Sequence, residues 1–158
     1  MTFEELCQLM IEYDDFYIVT DTKYLDNETN KKVFDVINQT INSIDPSLIN
    51  RIAIQFYNQQ MYYFLTDNYS FPLDNYMYTL YMSRDSNRQV IDFVTKENIR
   101  AVVMWNFRAD KSFVSELNDA GIFVYAHTIN NTDAALELFE SGVYGIYTDT
   151  ITYGDLNK

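Results

Sequence analysis

Several residues with reactive or ligand-binding side chains lie at the ends of short apolar segments of the sequence. Asp21 and Lys23 end the first segment, Gln55 lies in the second, Trp105 ends the fourth and His127 follows the fifth. Ligands of parallel α/β proteins bind at the carboxyl ends of the strands, so these five residues are candidates for a binding site. Asp21 and Lys23 are two residues apart, which places both side chains on one face of a strand. A carboxylate and an ammonium group are therefore predicted to serve one pocket.

Alternating apolar and amphipathic runs predict the elements that must position these residues. The predicted strands are residues 16–21, 52–56, 78–82, 101–105, 122–126 and 144–148. The predicted helices are residues 2–14, 28–43, 59–67, 87–98, 110–120 and 132–141. Thr2 and Glu5 have the spacing of a capping box at the start of the first helix. Asn58, Ser83 and Asn106 follow strands, and we interpret them as helix caps.

The regular alternation of strands and helices predicts an α/β protein. Near-continuous apolar strands are typical of a parallel sheet whose faces are covered by helices. Both a parallel (β/α) barrel and an open doubly wound sheet show this repeat. The sequence has no low-complexity tract and no linker-like composition shift. We therefore expect one domain over residues 1–158.

Charge and composition exclude several classes of protein. The chain has 11 basic and 23 acidic residues and a net charge of −12, which argues against nucleic acid or an anionic membrane as the main partner. Hydrophobic residues make up 47% of the sequence, which allows a core and excludes a disordered chain. No apolar run approaches the roughly 18 residues of a transmembrane helix, and the acidic start does not resemble a signal peptide. These features assign no cellular compartment.

Few glycine, cysteine and histidine residues are available for chemistry. All four glycines lie after residue 120, so the sequence has no glycine-rich phosphate loop. Gly121 and Gly142 each follow a predicted helix, and we interpret them as the left-handed residues that end it. The single cysteine, Cys7, excludes an internal disulfide. The single histidine, His127, excludes a site built from a pair of histidines of this chain.

The sequence resembles the glycerophosphodiester phosphodiesterase family in four segments that occur in the family's order. Residues 123–130 (FVYAHTIN) are similar to a strand closing in Thr-x-Asn, and residues 142–149 (GVYGIYTD) to the pattern Gly-Val-x-Gly-Ile-x-Thr-Asp. Residues 18–23 (IVTDTK) resemble the strand that ends Glu-x-Lys, and residues 2–6 (TFEEL) the start of the preceding helix. Asp21 stands where the family usually has Glu, and His127 where an aromatic residue such as Trp is common.

This resemblance implies a (β/α)₈ barrel and a reaction of lipid metabolism, the metal-assisted hydrolysis of a glycerophosphodiester to glycerol phosphate and an alcohol. The family segments His-Arg-Gly, Glu-x-Asp and His-Asp, which supply the catalytic histidines and two metal carboxylates, are missing from the sequence. We therefore expect residues 1–158 to be a single partial barrel domain with six of eight strands, the third to the eighth. We expect no catalytic residue in it, no hydrolase activity by itself, and self-association through open sheet edges.

The resemblance also implies roles for the candidate residues. Asp21 is expected to bind a divalent metal, Ca²⁺ or Mg²⁺, and to hold it weakly because one carboxylate makes a poor site. Lys23 is expected to offer a point charge to a phosphate oxygen of a small-molecule phosphodiester. Gln55, Trp105 and His127 are expected to contact the substrate.

A different class of function stays open at this point. The alternative is a non-catalytic α/β binding or assembly domain derived from the same barrel. A response-regulator-like sheet would need an acidic pair after its first strand and a lysine after its fifth. The strand after residue 100 ends in Trp105 and Asn106 instead, which argues against this interpretation.

Overall fold

The computed structural model describes residues 1–156, and the chain divides into two compact units, Met1–Tyr76 and Met77–Lys158. All six predicted strands and all six predicted helices are present, which confirms the α/β alternation. Each strand pair described below is parallel and joins strands that are consecutive in the chain. None of the helices in the described residues is long and apolar enough to cross a membrane.

The first unit contains three helices and two paired strands. Its elements are α1 (Phe3–Glu12), β1 (Ile18–Val19), α2 (Asn27–Ile44), a 3₁₀ helix (Pro46–Arg51), β2 (Ile52–Phe56) and α3 (Gln59–Asn68). Ile18 lies opposite Ile52 in the parallel pair, and the Thr20 N–H donates to the Ala53 carbonyl just beyond β1.

Helix starts in this unit follow the local rules of the sequence. The capping box of α1 is confirmed, because the Glu5 N–H donates to Thr2 Oγ1 and the Thr2 N–H donates to Glu5 Oε2. Asn58 caps α3 as predicted, since its side chain accepts from the Met61 N–H. These bonds satisfy backbone donors that a helix leaves unpaired in its first turn.

The core of the first unit is apolar and rich in aromatic rings. Phe34, Ile37 and Ile41 recur at helical spacing on α2, and all three are buried. Ile54 and Phe56 of β2 are fully buried as well. This burial fixes which face of α2 and of β2 points inward.

The second unit continues the strand and helix alternation. Its elements are β3 (Tyr76–Thr79, which begins at the last residue of the first unit), α4 (Asn87–Lys96), β4 (Ala101–Trp105), α5 (Lys111–Asp119), β5 (Phe123–His127), α6 (Thr132–Glu140) and β6 (Gly145–Ile146). Met77 lies opposite Ala101, and Tyr125 lies opposite Gly145. Trp105 is in register with His127, which places the ends of β4 and β5 side by side.

Three predicted strands differ from the structure by two residues or more at one end. The strands predicted at 16–21 and 144–148 are shorter, Ile18–Val19 and Gly145–Ile146, and the strand predicted at 78–82 begins two residues earlier and ends three residues earlier. β3 covers Tyr76–Thr79. The chain turns after Leu80, and the Ser83 N–H donates a hydrogen bond to the Leu80 carbonyl. Tyr81 therefore lies outside the strand with its ring partly exposed. The apolar run continues through Met82, but the chain turns after Leu80, so the end of β3 is set by this turn and not by the end of the apolar run.

Two of the predicted helix caps are also wrong. Ser86, and not Ser83, caps α4 by accepting from the Gln89 N–H. Ser83 Oγ instead lies 3.0 Å from the Tyr78 hydroxyl. Asp110, and not Asn106, caps α5, because Asn106 begins a separate 3₁₀ turn. In both places a short turn separates the strand from its helix, and this turn moves the cap along the chain.

Gly121 and Gly142 confirm the predicted helix ends. Their φ angles are 77° and 100°, in the left-handed region that costs a residue with a Cβ roughly 1–2 kcal/mol. After α5 the Ile122 N–H donates to the Leu117 carbonyl, and after α6 the Val143 N–H donates to the Leu138 carbonyl. Each glycine therefore lets the chain turn back onto the last turn of its helix.

We expect Gly142→Ala to destabilise the protein more than Gly121→Ala. Both variants force a Cβ into a left-handed residue, at roughly 1 kcal/mol each. At Gly142 the new Cβ would also lie 2.7 Å from Asn118 Nδ2, which donates a 2.9 Å hydrogen bond to the Gly142 carbonyl. Nothing lies within 4 Å of a Cβ at Gly121. Urea unfolding of both variants measures the difference, expected at about 1 kcal/mol, and equal losses would contradict the steric argument.

Candidate functional site

Asp21 and Lys23 lie together in the loop that follows β1. Lys23 Nζ is 3.2 Å from Asp21 Oδ2, and the two side chains are 62% and 48% exposed. An ion pair with this much solvent contact contributes little to stability. The structure therefore brings the two charged groups together and leaves both accessible to a ligand. The predicted reason is wrong, because both residues lie beyond the end of β1 and not on one face of a strand.

A buried tyrosine hydroxyl holds this pair. Tyr57 directly follows β2 and is 1% exposed. Its hydroxyl donates a hydrogen bond to Asp21 Oδ1 and accepts one from the Lys23 backbone N–H at 3.0 Å. Gln55 Nε2 lies 3.4 Å from both Asp21 Oδ1 and Tyr57 Oη, so the predicted Gln55 also joins this group.

The Tyr57 hydroxyl remains a hydrogen-bond donor at neutral pH. Burial, followed by the hydrogen bond to the Asp21 carboxylate, raises the pKa of Tyr57 to about 12. Ionisation would place a second negative charge against Asp21 in a water-poor environment, which explains the direction of the change. The proton on Oη is therefore fixed towards Asp21.

The same loop is held from its other side by the first turns of α2. Asn30 is fully buried, accepts from Thr22 Oγ1 at 3.3 Å and donates from Nδ2 to the Tyr24 carbonyl at 3.1 Å. Sequence analysis missed both Asn30 and Tyr57. The signal for Asn30 was present, because it lies four residues before Phe34 and so shares the buried face of the helix.

In the second unit, Trp105 and His127 lie in an aromatic cluster at the ends of β4 and β5. Their ring centroids are 4.4 Å apart, and Tyr81 lies 5.2 Å from Trp105 and 5.9 Å from His127. His127 is 9% exposed, whereas Phe107, stacked 6.0 Å from Trp105, is 79% exposed. Exposed ring faces next to buried ones can bind apolar groups or cations.

The turn after β6 is tied to the loop after β5 by one amide side chain. Asn130 Oδ1 accepts from the Asp149 N–H at 2.8 Å and from Thr148 Oγ1 at 3.1 Å. Asn130 Nδ2 donates to Asp149 Oδ2 at 3.1 Å. The Thr-x-Asn and Thr-Asp segments of the sequence therefore contact each other directly.

The described residues supply one candidate metal ligand and not a complete metal site. Within residues 1–156, no group of three or more His, Cys, Asp or Glu side chains is placed to hold a metal ion. Ca²⁺ takes 6–8 oxygen ligands, and Mg²⁺ takes octahedral coordination. Asp21 Oδ1 already accepts hydrogen bonds, so Oδ2 is the atom of this carboxylate that an ion can approach by displacing Lys23.

The chain belongs to the glycerophosphoryl diester phosphodiesterase family, whose family model matches residues 2–152. The match includes the loop after β1, which holds Asp21 and Lys23, and the aromatic cluster at the ends of β4 and β5. A comparison with curated proteins gave no match.

Solved structures show the same fold at low sequence identity. A protein of Silicibacter pomeroyi DSS-3, provisionally named a glycerophosphoryl diester phosphodiesterase, has a TM-score of 0.70 at 17% identity, over 93% of this chain and 52% of its own. A glycerophosphodiester phosphodiesterase of Thermotoga maritima has a TM-score of 0.64 at 17% identity, over 94% and 60%. An Oleispira antarctica phosphodiesterase in complex with the product sn-glycerol-3-phosphate has a TM-score of 0.59 at 16% identity, over 78% and 48%.

These matches decide between the two folds that the sequence left open. The chain has an α/β fold of the parallel (β/α) barrel type with six strands, as predicted, and not that of an open doubly wound sheet. It spans about half the length of the first of these relatives.

We expect Asn30→Ala to destabilise the protein by about 1–3 kcal/mol, because its buried side chain makes two hydrogen bonds to the loop after β1. Asn42→Ala is the matched control on the same helix, because the Asn42 side chain is exposed and bonds within α2. The control should change the free energy of unfolding by less than about 0.5 kcal/mol. Equal effects in urea unfolding would show that Asn30 does not hold the loop.

Proposed function

We propose that this chain binds the phosphate group of a glycerophosphodiester as part of a phosphodiesterase, which hydrolyses its substrate to glycerol phosphate and an alcohol. Membership of the family supports the reaction class. The observation that carries the proposal is the position of Lys23 Nζ, which lies beside Asp21 in an exposed loop fixed by buried polar groups.

Lys23 is proposed to bind a phosphate oxygen. Its ammonium group is accessible, and a lysine acts as a compact point charge towards phosphate. Gln55 is proposed to contact the same ligand, for which its buried side-chain amide exchanges one of its two long hydrogen bonds, to Asp21 or to Tyr57, for one to the ligand. The chain has a net charge of −12 and so does not attract anions in general. Anion binding at the accessible Lys23 ammonium group would therefore be local.

Trp105 and His127 of the second unit are proposed, independently, to contact the substrate. Their rings touch at the ends of two paired strands, and His127 is nearly buried there. We assign His127 a binding role and no proton transfer, because the family position it matches is not that of a catalytic histidine. No catalytic residue is assigned to this chain.

Asp21 is proposed to contribute one ligand to a divalent metal, Ca²⁺ or Mg²⁺. Such a cation, when bound, polarises a phosphoryl oxygen and stabilises the charge that develops on it. The chain's own residues contribute the position of the carboxylate, which Tyr57 and Gln55 hold through Oδ1.

We expect the chain to bind sn-glycerol 3-phosphate weakly, with a dissociation constant in about the millimolar range, and to lose about tenfold in affinity in Lys23→Met. NMR titration measures both. Lys31→Met is the matched control. Lys31 also pairs with an aspartate, Asp35 at 2.6 Å, and its replacement by methionine removes the same charge. The control should bind like the unaltered chain.

Equal weakening by both lysine variants would mean that general charge, and not a site at Lys23, attracts the anion. If the chain does not bind sn-glycerol 3-phosphate, the proposal fails and the non-catalytic assembly domain becomes the better interpretation.

We expect Ca²⁺ or Mg²⁺ to bind the isolated chain at millimolar concentrations and above, because the described residues offer one carboxylate. Asp21→Asn should abolish this binding in calorimetry. Asp35→Asn is the control, since Asp35 also contacts a lysine and a tyrosine hydroxyl. Micromolar metal binding that survives Asp21→Asn would remove Asp21 as the ligand.

A further inference from the structure

The hydroxyl of Tyr57 makes two hydrogen bonds to residues of one loop, one as a donor and one as an acceptor. It donates to the Asp21 carboxylate and accepts from the Lys23 backbone N–H at 3.0 Å. The ring is almost completely buried, so its hydroxyl is presented from a fixed position next to β2. The contact with Lys23 spans 34 residues of sequence and joins the loops that follow two paired strands.

Lys23 has a backbone conformation that a lysine does not adopt readily. Its φ angle is 57°, in the left-handed region that crowds the Cβ of an L-residue. The hydrogen bond from its N–H to Tyr57 stabilises this conformation. With the backbone turned this way, Lys23 Nζ reaches to within 3.2 Å of Asp21 Oδ2.

Gln55 is a weaker support for this arrangement. Its Nε2 lies 3.4 Å from each of its two partners, which is longer than the usual 2.9–3.0 Å of such bonds. The Lys23 N–H donates to the Tyr57 hydroxyl at 3.0 Å. The Tyr57 hydroxyl therefore couples the carboxylate and the lysine backbone.

We propose that Tyr57 is a positioning residue, whose hydroxyl holds Asp21 and Lys23 so that the Lys23 ammonium group is presented to a phosphate oxygen. This inference rests on the proposed function and extends it, because it assigns the geometry of the anion site to a residue that does not itself touch the ligand. Without the hydroxyl, Lys23 returns to ordinary backbone conformations and its ammonium group leaves the position beside Asp21.

The chain contains a close match to this arrangement that serves as a control. Tyr69 Oη donates to Asp35 Oδ1 at 2.8 Å, and Lys31 Nζ lies 2.6 Å from Asp35 Oδ2. Lys31 lies within α2, so its backbone is held by the helix whatever the tyrosine does. The Tyr69 hydroxyl also lies 3.2 Å from the Lys31 carbonyl, so Tyr69→Phe removes hydrogen bonds to the aspartate and to the lysine backbone while the helix still holds that backbone.

The experiment compares Tyr57→Phe, Tyr69→Phe and the unaltered chain, with inorganic phosphate as the probe. Phosphate affinity is measured by NMR titration, and the exchange rate of the Lys23 amide hydrogen is measured without phosphate. We expect Tyr57→Phe to weaken phosphate binding about five- to tenfold and to speed exchange of the Lys23 amide at least tenfold. Tyr69→Phe should change neither. Urea unfolding shows whether the two variants lose comparable stability.

The results separate this inference from the proposed function. If the unaltered chain binds phosphate through Lys23, and Tyr57→Phe binds it equally well with an unchanged Lys23 amide exchange rate, the positioning role of Tyr57 is wrong. If phosphate does not bind or Lys23→Met binds it equally well, the proposed function fails.

In that case rapid exchange of the Lys23 amide hydrogen in Tyr57→Phe, but not in Tyr69→Phe, still supports the control of the loop by Tyr57. Equal weakening of phosphate binding by both tyrosine variants would reduce the role of Tyr57 to general stability.

Discussion

Parallel pairing of strands is the constraint on which the remaining features of this protein depend. A parallel pair cannot be joined by a tight hairpin, so the chain must cross over between successive strands, and here it does so through helices. This connectivity brings the carboxyl ends of paired strands to one edge. It places Tyr57 beside the loop of Asp21, and Trp105 in register with His127. The polar and aromatic groups of each unit gather where they do for this reason.

Within the first unit, buried uncharged groups position exposed charged ones. Asn30 and Tyr57 are buried and each makes hydrogen bonds to the loop after β1, whereas Asp21 and Lys23 remain open to solvent. Burying the charges themselves would require compensation for their lost hydration, which is expensive. A buried hydroxyl and a buried amide give the loop a fixed shape at lower cost and leave its charges accessible. This division of roles suits a site that must exchange a water shell for an anionic ligand.

Family membership defines the reaction class considered for this chain, and the described residues define the groups it brings to that class. It belongs to the glycerophosphoryl diester phosphodiesterase family over residues 2–152, yet it spans 52% of the first structural relative. Its sequence holds a single histidine, and its described residues hold no group of three metal-ligating side chains. The groups it does hold are a lysine and a carboxylate in one unit and an aromatic cluster in the other, and they are proposed to bind ligand.

Local features were predictable from the sequence because their causes lie within a few residues. The capping box at Thr2, the left-handed glycine at Gly142 and the bounds of β2 and β4 follow from short-range hydrogen bonds and from runs of apolar residues. The four segments at residues 2–6, 18–23, 123–130 and 142–149 also indicated the family, which the family model confirms. The partners of Tyr57 were not predictable, because its contacts lie 34 and 36 residues away and exist once β1 pairs with β2. Residue types thus determined which groups are available for chemistry, and tertiary pairing decided which of them meet, since strand register is set by long-range packing and not by local sequence.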